Sequence, residues 1–246
     1  MAMRGLIAQL RIEIVLALRR GESVLITLVV PVVLLVFFGA VAPPVGTGDT
    51  SRPADFLVPG LLALAIMSTS MVSLGIATAY ERYYGALKRL LGSPLPRTSL
   101  LAAKTLAVVL IEVVQVALLV AIARLAFGWW PDGSTPVALL ALGLGSAAFA
   151  GLGLLMAGTL RAEATLAVAN GLYLLFLLLG GFIFPVERLP GALALAARAL
   201  PAAAFTDATR AALGSSSAQG AVGPLALLGA WAVVGIGAAA VTFRAD

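Results

Sequence analysis

The chain has 246 residues, 61% of them hydrophobic and 11% charged, with a mean hydropathy of +1.09 and a formal net charge of +5. A soluble domain carries about a quarter charged residues, so this composition belongs in a lipid bilayer. Cysteine and histidine are both absent, which excludes disulfides and thiol chemistry and removes the commonest general base and metal ligand.

Residues 1–22 are too polar to span a membrane, holding Arg4, Arg11, Glu13, Arg19, Arg20 and Glu22. Leu6, Leu10, Ile14 and Ala17 fall on one helical arc, with Arg4 and Arg11 away from it. This predicts an interfacial amphipathic helix, made imperfect by Glu13 at the edge of the arc. Six apolar runs follow, at about 23–42, 56–79, 100–127, 137–160, 165–184 and 222–243. Each is near the roughly 20 residues a helical crossing needs, and none shows barrel alternation. The first run is too long for a signal-peptide core and has no small-residue cleavage site; Pro31 inside it predicts a kink. The predicted fold is therefore an all-α polytopic membrane protein: a single domain, 1–246, of six spans.

Lys and Arg fix the expected orientation. With the N-terminus inside, Arg4, Arg11, Arg19, Arg20, Arg82, Lys88, Arg89, Arg97, Lys104, Arg161 and Arg244 are cytoplasmic, against Arg52, Arg124, Arg188, Arg198 and Arg210 outside. That asymmetry predicts both termini in the cytoplasm. Basic residues scattered this way read as topology determinants, not as a nucleic-acid groove. Arg dominates over Lys, and Ala, Gly and Leu are abundant, as in proteins of GC-rich bacteria.

Between the second and third spans, in a cytoplasmic loop at 80–98, lies Glu81-Arg82-Tyr83-Tyr84-Gly85-Ala86-Leu87-Lys88-Arg89-Leu90, followed by Ser93-Pro94 and Lys104. Gly85 lets the chain turn, and Pro94 ends any helix. This spacing resembles the coupling-loop signature of type 2 ATP-binding-cassette exporter permeases: Glu-Arg, two residues, Gly, one residue, Leu, a charged residue, one residue, Leu, Ser/Thr-Pro and a downstream Lys. Ala86 departs from the family's usual Ser or Thr. The resemblance implies that Glu81, Arg82, Gly85, Leu87, Lys88, Arg89, Leu90 and Pro94 couple the chain to an ATPase.

Beyond the fifth span, 185–221 is long for a loop. Phe184-Pro185, Leu189-Pro190 and Leu200-Pro201 punctuate an Ala/Leu-rich stretch, predicting two short helices that dip back from outside. This too resembles the external re-entrant elements of the same family.

Chemistry-bearing residues are few. No Gly-x4-Gly-Lys-Ser/Thr phosphate loop occurs, and Gly46-Thr47-Gly48 lacks the Lys. The resemblance accordingly places ATP and Mg on a separate ATPase subunit, two copies per complex, with no cofactor on this chain. It also implies a second permease protomer, identical or paralogous, in the bacterial cytoplasmic membrane. Glu112 is the one acid well inside a span, suited either to binding a cationic drug or water in a cavity, or to bonding Gln115 or a neighbouring helix. Arg124, near the outer end of that span, can snorkel. Gly153 and Ala157, four apart, predict close helix packing. In related exporters the second and fifth spans line the central cavity, which implies Met67, Thr69, Met71, Asn170, Tyr173 and Phe176 as lining residues here, and Glu112 is placed in the same cavity. The expected function is a permease moving an amphiphilic drug, antibiotic or lipid-like molecule outward. The alternatives are an ATP-independent channel or immunity-type protein, and an intramembrane enzyme, for which the chain has few catalytic groups.

Overall fold

The computed structural model describes residues 2–19, 21–41, 53–86, 97–214 and 218–242. Among them all regular structure is helical: α1 (Ala2–Arg19), α2 (Gly21–Val41), α3 (Pro53–Met67), a π-helical segment (Ser68–Ser73), α4 (Leu74–Tyr83), α5 (Arg97–Phe127), α6 (Thr135–Thr159), α7 (Ala162–Leu179), α8 (Gly191–Arg198), α9 (Pro201–Leu213) and α10 (Val222–Thr242). An apolar chain in lipid must bond its own backbone groups internally, which helices achieve.

Among the described residues, five helices are long and apolar enough to cross a bilayer: Pro53–Tyr83, Ala103–Phe127, Thr135–Thr159, Ala162–Leu179 and Val222–Thr242. The first expected run is helical as α2, which passes through Pro31 and has Val29–Ala40 as its described apolar stretch. The expected fifth run, 165–184, ends earlier than its hydropathy indicates. Gly180 N–H donates to Phe176 O at 2.6 Å, and Gly181 then takes φ +74°, so 180–185 leave the helix.

The Pro53–Tyr83 helix is the centre of the bundle, buried along most of its length, whereas α7 and α10 are largely exposed. Its middle loosens into the π segment, where Thr69 Oγ1 donates to Ala65 O at 3.1 Å and Ser70 Oγ to Ile66 O at 2.6 Å. Hydroxyls that bond back to the preceding turn locally compete with the helix ladder. Small residues let α6 pack directly on this segment: a Cβ on Gly153 would lie 2.7 Å from Met71 O, and one on Gly75 would lie 3.0 Å from Gly153 O. The expected contact at Gly153 and Ala157 is thus a backbone-to-backbone approach, with Ala157 fully buried.

The two short helices expected after Pro190 and Pro201 are α8 and α9. α9 is largely buried within the bundle. Phe205 is fully buried against Phe149, ring centroids 5.9 Å apart, and Thr206 Oγ1 donates to Gly180 O at 2.7 Å. Arg210 reaches back to the start of α3: its guanidinium lies 3.6 Å over the Phe56 ring, with Nε donating to Phe56 O at 3.3 Å and Nη2 to Gly181 O at 2.5 Å. Burial lowers its pKa to about 10, and the charges of Asp207 and Glu187 oppose that shift. Arg124 lies 4.3 Å over the Trp130 ring.

Candidate functional site

The end of α4 is where the motif residues begin, and the structure divides them into two groups. Glu81 and Arg82 point into the bundle; Tyr83 and Tyr84 point out. Glu81 is 9% exposed, and its Oε2 accepts from Lys104 Nζ of α5. The same ammonium lies 2.8 Å from Glu13 Oε1 of α1, which also accepts from Gln9 Nε2 at 2.8 Å. One lysine, 2% exposed, therefore joins α1, α4 and α5. A buried ammonium needs such partners to offset its desolvation.

Arg82 holds the opposite side. Nη1 donates to Gly158 O at 2.7 Å and Nη2 to Leu160 O, at the end of α6. A cation on carbonyls left unpaired at a helix C-terminus is favourable both as a hydrogen bond and against the helix dipole. Thr165 Oγ1, donating to Met156 O at 3.3 Å, ties the start of α7 to the same place. Gly85 then ends α4 in the left-handed region, φ +68°, its N–H donating to Arg82 O at 3.0 Å. Tyr83 and Tyr84 are 63% and 67% exposed, ring centroids 5.1 Å apart. The remaining motif residues, Leu87, Lys88, Arg89, Leu90 and Pro94, lie outside the described residues.

A cavity of about 800 Å³ adjoins this cluster, within the range of small-molecule sites. It is bounded by α1, α2, the π segment, α4, α5 and α7, and includes Glu13, Glu81, Lys104, Thr69, Thr78, Tyr80, Tyr84, Asn170 and Tyr173. Of the seven residues expected to line a cavity, Thr69, Asn170 and Tyr173 do so. Thr69 Oγ1 also donates to Gln115 Oε1 at 3.0 Å, and Asn170 Nδ2 returns to Leu166 O at 2.8 Å.

The other four sit elsewhere. Met67 and Met71 are fully buried in the core. Phe176 is 5% exposed and packs edge-on against Phe149, centroids 5.9 Å apart. At roughly 100° per residue it stands about 120° round the helix from Asn170, which turns it to the bundle when Asn170 faces the cavity. Glu112 is 4% exposed, faced by the hydroxyls of Ser146 and Ser70, and does not border the cavity. Its Oε1 and Ser146 Oγ have no hydrogen-bond partner among the described residues.

Sequence reasoning missed Glu13 as a site residue and gave no role to Gln9, Tyr80 or Thr78. The signal for Glu13 was present: an acid beside the apolar arc of α1, four residues after a Gln, needs an inward partner. The arc itself is rotated from expectation. Gln9 and Glu13 are its buried edge, whereas Ile7, Ile12 and Val15 are exposed and Leu10 and Ile14 half-buried.

A multi-helix bundle of apolar spans with a charged cluster at the end of its central helix defines a polytopic membrane protein. The comparisons specify which kind. The family model for the ABC-2 type transporter matches residues 5–213, and the chain belongs to that family. It is similar to a protein of Bacillus subtilis (strain 168) named as the transport permease YvfS, 27% identical over 180 residues, which cover 70% of this chain and 71% of that one. The chain is therefore a membrane subunit of an ABC transporter, and its family implies an ABC ATPase partner.

Proposed function

We propose that this chain is the six-span permease of an ATP-driven exporter in the bacterial cytoplasmic membrane, with both termini cytoplasmic. Two permease copies, or a copy and a paralogue, pair with two ATPase subunits that carry ATP and Mg. The ATPase docks on 81–94, and the cargo is an amphiphile. The observation that carries this reading is the anchoring of Glu81 and Arg82. A push on the segment they begin reaches α1 and α5 through Lys104, and α6 and α7 through Gly158 and Leu160. Tyr84 belongs both to this segment and to the cavity wall, its ring stacked at 6.1 Å on that of Tyr80, which also borders the cavity. Docking and cargo space are thus adjacent, and closure of the ATPase pair changes the cavity by moving its wall.

The test is reconstitution with the partner ATPase. Efflux of an amphiphilic dye should require ATP and should disappear, with hydrolysis retained, when Gly85 is replaced. Dye flux that is unchanged without ATP would favour the channel reading.

A further inference from the structure

We propose that Arg124 and Trp130, at the end of α5 remote from Lys104, bind the phosphate of a membrane phospholipid, with an acyl chain of that lipid lying along the exposed face of α5. The site lies apart from the cavity and does not depend on the exporter reading.

The end of α5 builds the pair. Gly128 takes φ +62°, a conformation that suits glycine, and its N–H donates to Arg124 O at 3.0 Å. The next two residues then part. Trp129 is buried in the core, its N–H donating to Ala123 O at 3.2 Å, and Trp130 is exposed. Pro131 restricts Trp130 to an extended backbone. Beyond it the N–H groups of Asp132 and Gly133 donate to Leu213 O of α9 at 3.2 and 3.3 Å. The loop that carries Trp130 is thus tied down on both sides, and its ring stands 4.3 Å from the Arg124 guanidinium.

That guanidinium has donors to spare. Among the described residues no hydrogen bond or ion pair engages it, and Asp132 on the same loop is no exception. A guanidinium stacked on an indole keeps its in-plane N–H groups free, and their fork matches two oxygens of a phosphate.

Depth and face select the occupant. Arg124 lies one turn before the end of the apolar span Ala103–Phe127, and Lys104 lies at its start. The helix between them rises about 30 Å, the thickness of the hydrocarbon core. Arg124 therefore stands at the headgroup level of the opposite leaflet, where tryptophan rings also settle. In the orientation proposed above this is the outer leaflet. Leu106, Leu110, Val113, Ala117, Ala121 and Arg124 recur at three- and four-residue steps, and all are exposed. One cation at the end of an otherwise apolar stripe complements a molecule that carries a phosphate above a hydrocarbon tail.

Native mass spectrometry of the full chain in detergent tests this by counting bound lipids. The first lipid bound should be held about fivefold more tightly when it is a short-chain phosphatidylglycerol than when it is a phosphatidylcholine of the same chains, whose ammonium opposes Arg124. Arg124→Gln should remove this preference, Arg124→Lys should keep part of it, and Trp130→Leu should weaken the phosphatidylglycerol adduct. Both side chains are exposed, so the variants should melt with the parent. Equal binding of the two lipids, a preference that Arg124→Gln leaves unchanged, or displacement of the lipid by an equal concentration of inorganic phosphate would overturn the proposal. So would lipid-free dimers that dissociate on Arg124→Gln, which would give this face to a second copy of the chain.

Discussion

Lys104 Nζ lies 2.8 Å from Glu13 Oε1 and donates in the same place to Glu81, so a single ammonium holds α1 against the end of the central helix. All three side chains are removed from solvent. Their attraction does not by itself make the fold stable, since the desolvation of three ions opposes it. Removing the lysine is another matter, because it leaves two buried carboxylates facing each other without the ammonium between them.

Lys104→Met should therefore lower stability by about 3–5 kcal/mol, as for other broken buried pairs. Thermal unfolding in detergent measures this. Combining Lys104→Met with Glu13→Gln should recover part of the loss, because the two carboxylates then no longer repel each other. A single variant that melts with the parent would show the cluster to be solvated.

Gly85→Ala places a side chain at φ +68°, where nothing lies within 4 Å of the new Cβ. The cost is conformational, about 1–2 kcal/mol, and local. Membrane insertion should be normal while ATP hydrolysis and dye efflux fall out of step. Parallel assays of both in proteoliposomes decide; normal efflux would remove Gly85 from the coupling element.

Tyr173→Ala and Phe176→Ala should behave differently. Tyr173 borders the cavity, so its loss should change which compounds are exported with little change in the amount of transporter. Phe176 is buried against Phe149, and its truncation should cost about 3–5 kcal/mol of stability with the substrate profile intact. Drug-resistance profiles set beside unfolding curves separate the two.

The chain has no native thiol, so single cysteines report topology directly. Thr47→Cys and Ser215→Cys should react with an impermeant maleimide from outside intact cells. Arg4→Cys and Asp246→Cys should react only after lysis. Any exchange between the two pairs refutes an even number of spans with both ends inside.

Most of the helical layout was legible because apolar length is a one-dimensional signal. The spans ending at Phe127 and Thr159 fall within a residue of where hydropathy stops. The helices after Pro190 and Pro201 were legible because proline marks where a helix can begin. The site was less so. Met67 and Met71 share a helix with Thr69, and only the packing of α6 at Gly153 decides which of them meets a cavity. Phe184 escaped the fifth helix because Gly181 turns the chain, and an apolar run continues through such a turn without a break in hydropathy. Glu13 was read as a flaw in an amphipathic arc because its partner is on another helix, at a distance in sequence that no local pattern encodes.

The π segment at Ser68–Ser73 has a bearing on insertions and deletions. A π turn accommodates one residue more than an α turn, so everything after Ser73 is rotated by about 100° relative to an unbroken α-helix. Which neighbour of Tyr80 looks toward Lys104 and which toward Gly158 depends on that single extra residue. Deleting one residue between 68 and 73 would straighten the helix, conserve its hydropathy, and turn the motif that begins at Glu81 to face the wrong helices. Along this stretch the length of the chain is as much a part of the motif as its letters.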